Sequence, residues 1–244
     1  MQNLSNEWMK LIRKRSTIAF FIISAFFPIL VGPSVNILQN RIGFTLFDGE
    51  SFSLIILSLA VIIYLPLLLA QAVSDLFPGE LEKNVLAFIL VRPISRLKIF
   101  NSKILCIALY LMTLLLIIYI SSNLTGAIWL QNFTFKGMLM GGFAYLLSWF
   151  PLMAITLFLV FFVQWFGSSS RALTFSIILY FMMVVLPFIF PKVGLWLPTY
   201  DITWYQRWIN NGLSMVVMGR AVYLLSWCSL FFTLGYYQFK KKEY

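Results

Sequence analysis

Residues Ser74 to Lys103 read SDLFPGELEKNVLAFILVRPISRLKIFNSK, a charged and patterned stretch set between two long apolar runs. Gly79, Glu80, Glu82, Arg92, Pro93, Ser95, Arg96 and Lys103 fall in an order that a mere turn between two apolar segments does not need. The flanking runs, Phe52 to Ala72 and Ile104 to Thr125, are long enough to cross a bilayer, whose roughly 30 Å hydrocarbon core takes about 20 apolar residues of helix.

Outward from this stretch four more such runs follow: Thr17 to Ile37, Met138 to Gln164, Ala172 to Phe190 and Ala221 to Gln238. Composition agrees. A chain that is 61% hydrophobic, 18% aromatic and 11% charged would give a soluble domain an insoluble surface. The runs are continuously apolar, whereas barrel strands would be about 10 residues long and alternating. The expected fold class is all-α: a polytopic membrane protein with six transmembrane helices and a single domain over residues 1–244.

Lys and Arg collect on the cytoplasmic side of spans. With the N-terminus inside, thirteen of the eighteen basic residues fall in cytoplasmic segments and five outside. Both termini are therefore expected in the cytoplasm, and the net charge of +10 reports topology rather than nucleic-acid binding. The first span is expected to be retained, because its apolar run is longer than that of a cleaved signal and lacks a small-x-small site. Cys106 and Cys228 fall inside spans without metal-ligand spacing and read as small buried thiols.

The first fifteen residues form a separate element. Leu4, Trp8, Leu11 and Ile12 recur at helical spacing, while Glu7, Lys10, Arg13 and Lys14 avoid that stripe. The pattern predicts an amphipathic helix in the inner interface, with Trp8 at headgroup depth and Arg13, Lys14 and Arg15 facing anionic lipid.

Within Ser74 to Lys103, Pro78-Gly79 is expected to stop the preceding helix in a tight turn. Leu81, Val85, Phe88 and Ile89 then recur at helical spacing, with Glu82, Lys83 and Asn84 on the other face. This predicts a short amphipathic helix, too short to cross the membrane. Arg92-Pro93 ends it, since proline disfavours helix for the residue before it. Ser95 is placed to cap a new helix whose first turns carry Arg96, Lys98 and Lys103.

These residues resemble the cytoplasmic stretch of ABC-2 type transporter permeases: an acidic Asp75, the turn Gly79-Glu80-Leu81-Glu82, Leu86 and Leu90, then Arg92-Pro93-Ile94-Ser95-Arg96, and Lys103 opening the next span. Glu80 stands where that family often has threonine. The resemblance implies a half-transporter of a bacterial exporter in the cell membrane. Its inward helix (Gly79, Glu80, Leu81, Glu82, Val85, Phe88, Ile89, Arg92, Pro93, Ser95 and Arg96) would couple to a separate ABC ATPase present in two copies. A second permease, the same chain or a sister, would complete the path. ATP and magnesium would sit on the ATPase, and this chain would bind no cofactor.

What the sequence lacks agrees with that division of labour. It has no G-x-x-x-x-G-K-[ST] phosphate loop and no histidine, which removes nucleotide cradling by that means, Ser-His chemistry and His-dependent metal sites. No Asp or Glu is expected well inside a span, which argues against an ion channel, a proton-coupled carrier or an intramembrane enzyme. Spans of Phe, Leu, Ile and Met suit apolar or amphipathic cargo. By analogy with small bacterial permeases the cargo would be a peptide such as a bacteriocin, toxin or antimicrobial peptide. Drug or lipid-linked polymer export and a non-transporting scaffold or sensor are the alternatives.

Two further features complete the reading. Pro28, Pro33, Pro66, Pro151 and Pro187 interrupt spans and predict kinks, and Gly137 and Gly141 form a small-residue packing motif. Residues 191–220 exceed what a turn needs, and Trp196, Tyr200, Trp204, Tyr205 and Trp208 there belong at an interface. Re-entrant helices forming an extracellular cap are expected, with Asp201 and Arg207 as candidates to pair within it.

Overall fold

The computed structural model describes residues 2–42, 48–82, 95–130, 132–212 and 214–241. It is helical, with no strand among the described residues. Six helices are long and apolar enough to cross a membrane: span 1, Arg15–Arg41; span 2, Gly49–Glu82; span 3, Arg96–Trp129; span 4, Phe135–Val163; span 5, Ser169–Ile189; and span 6, Met215–Lys241. Each expected run falls within its span or overruns it by a residue. Most spans extend several residues beyond the apolar run; span 3 opens on Arg96, which donates to the Lys240 carbonyl, and span 2 closes on Glu82, which accepts from the Ser169 amide.

Spans 2, 3 and 4 form the core. Their most apolar windows are 56%, 56% and 67% buried, against 17%, 28% and 11% for spans 1, 5 and 6. The three peripheral spans thus keep most of their apolar surface for lipid or another chain. Span 4 approaches span 2 through the two predicted glycines. A Cβ on Gly137 would lie 2.5 Å from Glu50 Cγ, and one on Gly141 would lie 3.0 Å from Ser53 Oγ. Hydroxyls join the helices where backbones come this close: Tyr145 donates to the Ser53 carbonyl at 3.2 Å, and Tyr119 donates to that of Met138 at 3.0 Å.

Span 2 is not uniform. Ala60–Tyr64 is a π-helical turn in which the Leu65 amide donates to the Ala60 carbonyl, five residues back. The helix stop expected at Pro78-Gly79 does not form. Helix yields only at Phe77 and resumes as Pro78–Glu82, since proline in a first helical turn loses no intrahelical bond. Span 3 does start after Ser95, yet the Ser95 side chain makes no capping bond. Span 4 runs through Pro151 as one helix. Cys106 and Cys228 are free, the first buried and the second half-buried.

The N-terminal helix Gln2–Ile12 packs against spans 1 and 3. At the other chain end, Arg96 Nη1 donates to the Lys240 carbonyl at 2.5 Å. Both ends of the described chain therefore meet at one end of the bundle, here termed the terminal end. Residues 191–212 lie beyond the last turn of span 5, at the far end. They comprise a short helix Pro191–Gly194, a 3-10 turn Pro198–Asp201 and a helix Trp204–Asn211.

Candidate functional site

Three elements converge on one buried cation at the terminal end. Lys103 lies in span 3 with its side chain wholly buried, and its Nζ sits 2.5 Å from Glu80 Oε2 and 2.8 Å from the Leu76 carbonyl of span 2. Glu7 of the N-terminal helix places Oε2 3.6 Å from the same Nζ, a Coulombic contact too long for a hydrogen bond. Lys10, one turn further along that helix, bridges Glu7 at 3.1 Å and Glu80 at 3.5 Å. Burial would lower the Lys10 pKa, but the Glu80 and Glu7 carboxylates outweigh it and leave the ammonium above its ordinary value.

A second set of contacts extends the junction to the start of span 5. Lys14 pairs with Asp75, which also accepts from Gln71 Nε2 at 3.1 Å and from Ser169 Oγ at 3.2 Å. The Ser169 amide donates to Glu82 Oε2 at 2.9 Å. Gly79 permits this approach, because a Cβ there would stand 3.3 Å from the Ser74 carbonyl and 3.5 Å from Ser169 Cβ. Between the N-terminal helix, span 1 and span 2 lies a cavity of about 410 Å³, lined among others by Arg13, Lys14, Phe20, Asp75 and Tyr110.

Several predicted site residues are brought together here and others are not. Gly79 and Glu80 are buried, Leu81 is half-buried, and Glu82 is exposed. Ser95 and Arg96 are exposed at the opening of span 3. Val85, Phe88, Ile89, Arg92 and Pro93 lie outside the described residues. Trp8 and Leu4 are half-buried against the core, while Arg13 and Arg15 are exposed. The amphipathic reading of the N-terminal helix misplaces Glu7, which is buried and not water-facing, because Lys103 and Lys10 compensate its charge. Lys103, expected in the first turns of span 3, is buried there because Glu80 and Glu7 compensate its charge. Ser169 carried no signal in the sequence.

The far end is built around a second buried charge. Asp201 is fully buried and pairs with Arg207 at 3.1 Å, as expected, and with Arg220 of span 6 at 3.4 Å. Tyr200 lies under both guanidinium groups, at 4.9 and 5.1 Å from its ring centre. Trp204 and Tyr205 are buried, Trp208 is half-buried, and Trp196 and Tyr200 are exposed. Trp204 and Trp208 stand edge-on to Phe150 and Phe143 of span 4. No group of His, Cys, Asp and Glu with the arrangement of a metal site occurs among the described residues.

Six apolar spans with a charge-locked terminal end define a multi-pass membrane protein. The sequence matches the family described as ABC-2 family transporter protein over residues 3–188, and the chain belongs to that family. A comparison with curated proteins gives no match. Membership makes the chain a transmembrane component of a transporter served by an ABC ATPase.

Proposed function

We propose that this chain is the permease half of an ATP-driven exporter, with both termini in the cytoplasm and residues 74–103 as the element on which the ATPase pushes. The observation that carries the reading is the Glu80–Lys103 pair, which ties the two ends of that segment together at its base. A push on the intervening residues would enter spans 2 and 3 as one unit. Through Glu7 and Ser169 it also reaches the N-terminal helix and span 5.

The proposed cargo is apolar or amphipathic, a peptide in the first instance. Neutral hydroxyl, amide and aromatic groups supply most of the polar relief within the spans, and such surfaces suit cargo that brings its own apolar face. A second permease copy and two ATPase subunits, which carry ATP and magnesium, complete the proposed assembly. The large exposed apolar faces of spans 1, 5 and 6 support a second membrane chain beside this one.

Transport of a fluorescent amphipathic peptide into inverted vesicles, with the permease and its ATPase reconstituted together, tests the reading. ATP-dependent uptake into the vesicles that disappears on deleting residues 83–94 supports it. Uptake unchanged by that deletion overturns it. Intact assembly without any ATP-driven movement of peptide, drug or lipid-linked polymer favours a scaffold instead.

A further inference from the structure

Prolines inside two spans each remove the backbone donor from a carbonyl four residues back. Within hydrocarbon such a carbonyl needs another partner. Pro66 frees the carbonyl of Ile62, and Pro187 frees that of Met183. Each is filled by a hydroxyl from a different element. Tyr180 of span 5 donates to the Ile62 carbonyl of span 2, and Thr199 Oγ1 of the far-end segment donates to the Met183 carbonyl of span 5 at 3.0 Å.

Tyr180 and Met183 are both buried and lie one turn apart. A single turn of span 5 therefore grips span 2 on one side and is gripped by the far-end segment on the other. A direct tie runs in parallel. Ser58 of span 2 and Tyr205 of the helix Trp204–Asn211 share a hydrogen bond of 2.7 Å between their hydroxyl oxygens. The Tyr180 and Tyr205 ties both meet span 2 at or beside its π-helical turn, Ala60–Tyr64. Such turns often mark functional sites in helices.

We infer that Tyr180, Thr199 and Tyr205 are positioning residues that gear the far-end cap to span 2. Movement entering span 2 at Glu80 reaches the cap through these hydroxyls, so that cargo release follows ATPase closure. The inference rests on the proposed coupling role of residues 74–103.

The test uses the complex with its ATPase in lipid discs, with Cys106 and Cys228 replaced by serine. Spin labels at Lys98 and Arg171 report the terminal end. Labels at Trp196 and Ile128, which are 71% and 72% exposed, report the cap. Distances are compared without nucleotide and after vanadate trapping with Mg-ATP. In the otherwise native chain both distances shift. With Tyr180→Phe, Thr199→Val and Tyr205→Phe together, the terminal-end shift remains and the cap shift is lost. A cap shift that persists in that triple variant overturns the inference. Absence of the terminal-end shift in the native chain defeats the coupling reading and the inference with it.

A second set of variants separates transmission from mere stability. Pro66→Ala and Pro187→Ala restore a backbone donor to each carbonyl, so adding Tyr180→Phe and Thr199→Val leaves no orphaned group. With Tyr205→Phe also present, this chain is expected to keep its unfolding temperature and still lose the cap shift. Recovery of the cap shift would show that only carbonyl satisfaction mattered and would overturn the gearing.

Discussion

Glu80 and Lys103, twenty-three residues apart, meet at 2.5 Å in a site where the lysine side chain is wholly buried. Such a pair adds little net stability over an apolar replacement, yet breaking it strands a buried charge at a cost of about 3–5 kcal/mol. Lys103→Met leaves Glu80 and Glu7 facing each other with only Lys10 between them. Its thermal unfolding midpoint in detergent is expected to fall sharply. Glu80→Gln added to Lys103→Met should recover much of the loss, since two neutral groups no longer need each other. A double variant no more stable than Lys103→Met would show that the pair is not coupled.

The contact between Gly79 and Ser169 sets a graded expectation. Alanine at position 79 gains helix propensity of up to about 1 kcal/mol and sits tight against the Ser74 carbonyl, 3.3 Å away, so its net effect should be near zero. Valine must displace Ser169, with an overpacking cost of about 1–3 kcal/mol. Gly79→Val should therefore release the Ser169 bonds to Glu82 and Asp75. Faster hydrogen exchange at the start of span 5 checks this, and equal exchange in the two variants would contradict it.

Much of this architecture was legible in the sequence. The six spans stand out because hydrocarbon thickness imposes a length that chance rarely meets. The glycines at 137 and 141 point to close packing, and span 4 does meet span 2 there. The junction was only half legible. Asp75, Glu80 and Lys103 are visible as charges near span ends, but helical periodicity placed Glu7 on the wet face of its helix. Where a carboxylate resides depends on cations brought near by folding, and local spacing does not encode these. Ser169 contributes partly through its amide, a group every residue but proline has. The prolines announced kinks, but not which distant hydroxyl would fill the carbonyl each one frees.

At the far end, burial raises the Asp201 pKa, and Arg220 and Arg207 offset only part of that rise. A carboxyl whose folded pKa is raised contributes stability that is complete below its ordinary value of 3.8 and is lost as pH rises through the folded value. The cap is accordingly expected to be tightest in acid. Hydrogen exchange across Pro198–Asn211, corrected for intrinsic rate, should quicken as pH climbs through that window. Asp201→Asn, which keeps the shape of the protonated acid, should flatten the profile. An unchanged slope in that variant would assign the effect to another group.

Docking of the N-terminal helix depends on Lys14 and Asp75 as well as on the buried pair. The Lys14–Asp75 contact is partly exposed, with side chains 40% and 20% accessible, so its own contribution to global stability is under about 1 kcal/mol. Its effect is local. Lys14→Glu sets two carboxylates together and should loosen the helix Gln2–Ile12, seen as faster cleavage by a protease added to the detergent-solubilised protein. Asp75→Lys in the same chain restores opposite charges but loses the acceptor for Gln71 and Ser169. Protection of the N-terminal helix should therefore return while the start of span 5 stays exposed to exchange. Protection of neither region in the double variant would mean that Asp75 holds the helix through Ser169 and not through charge.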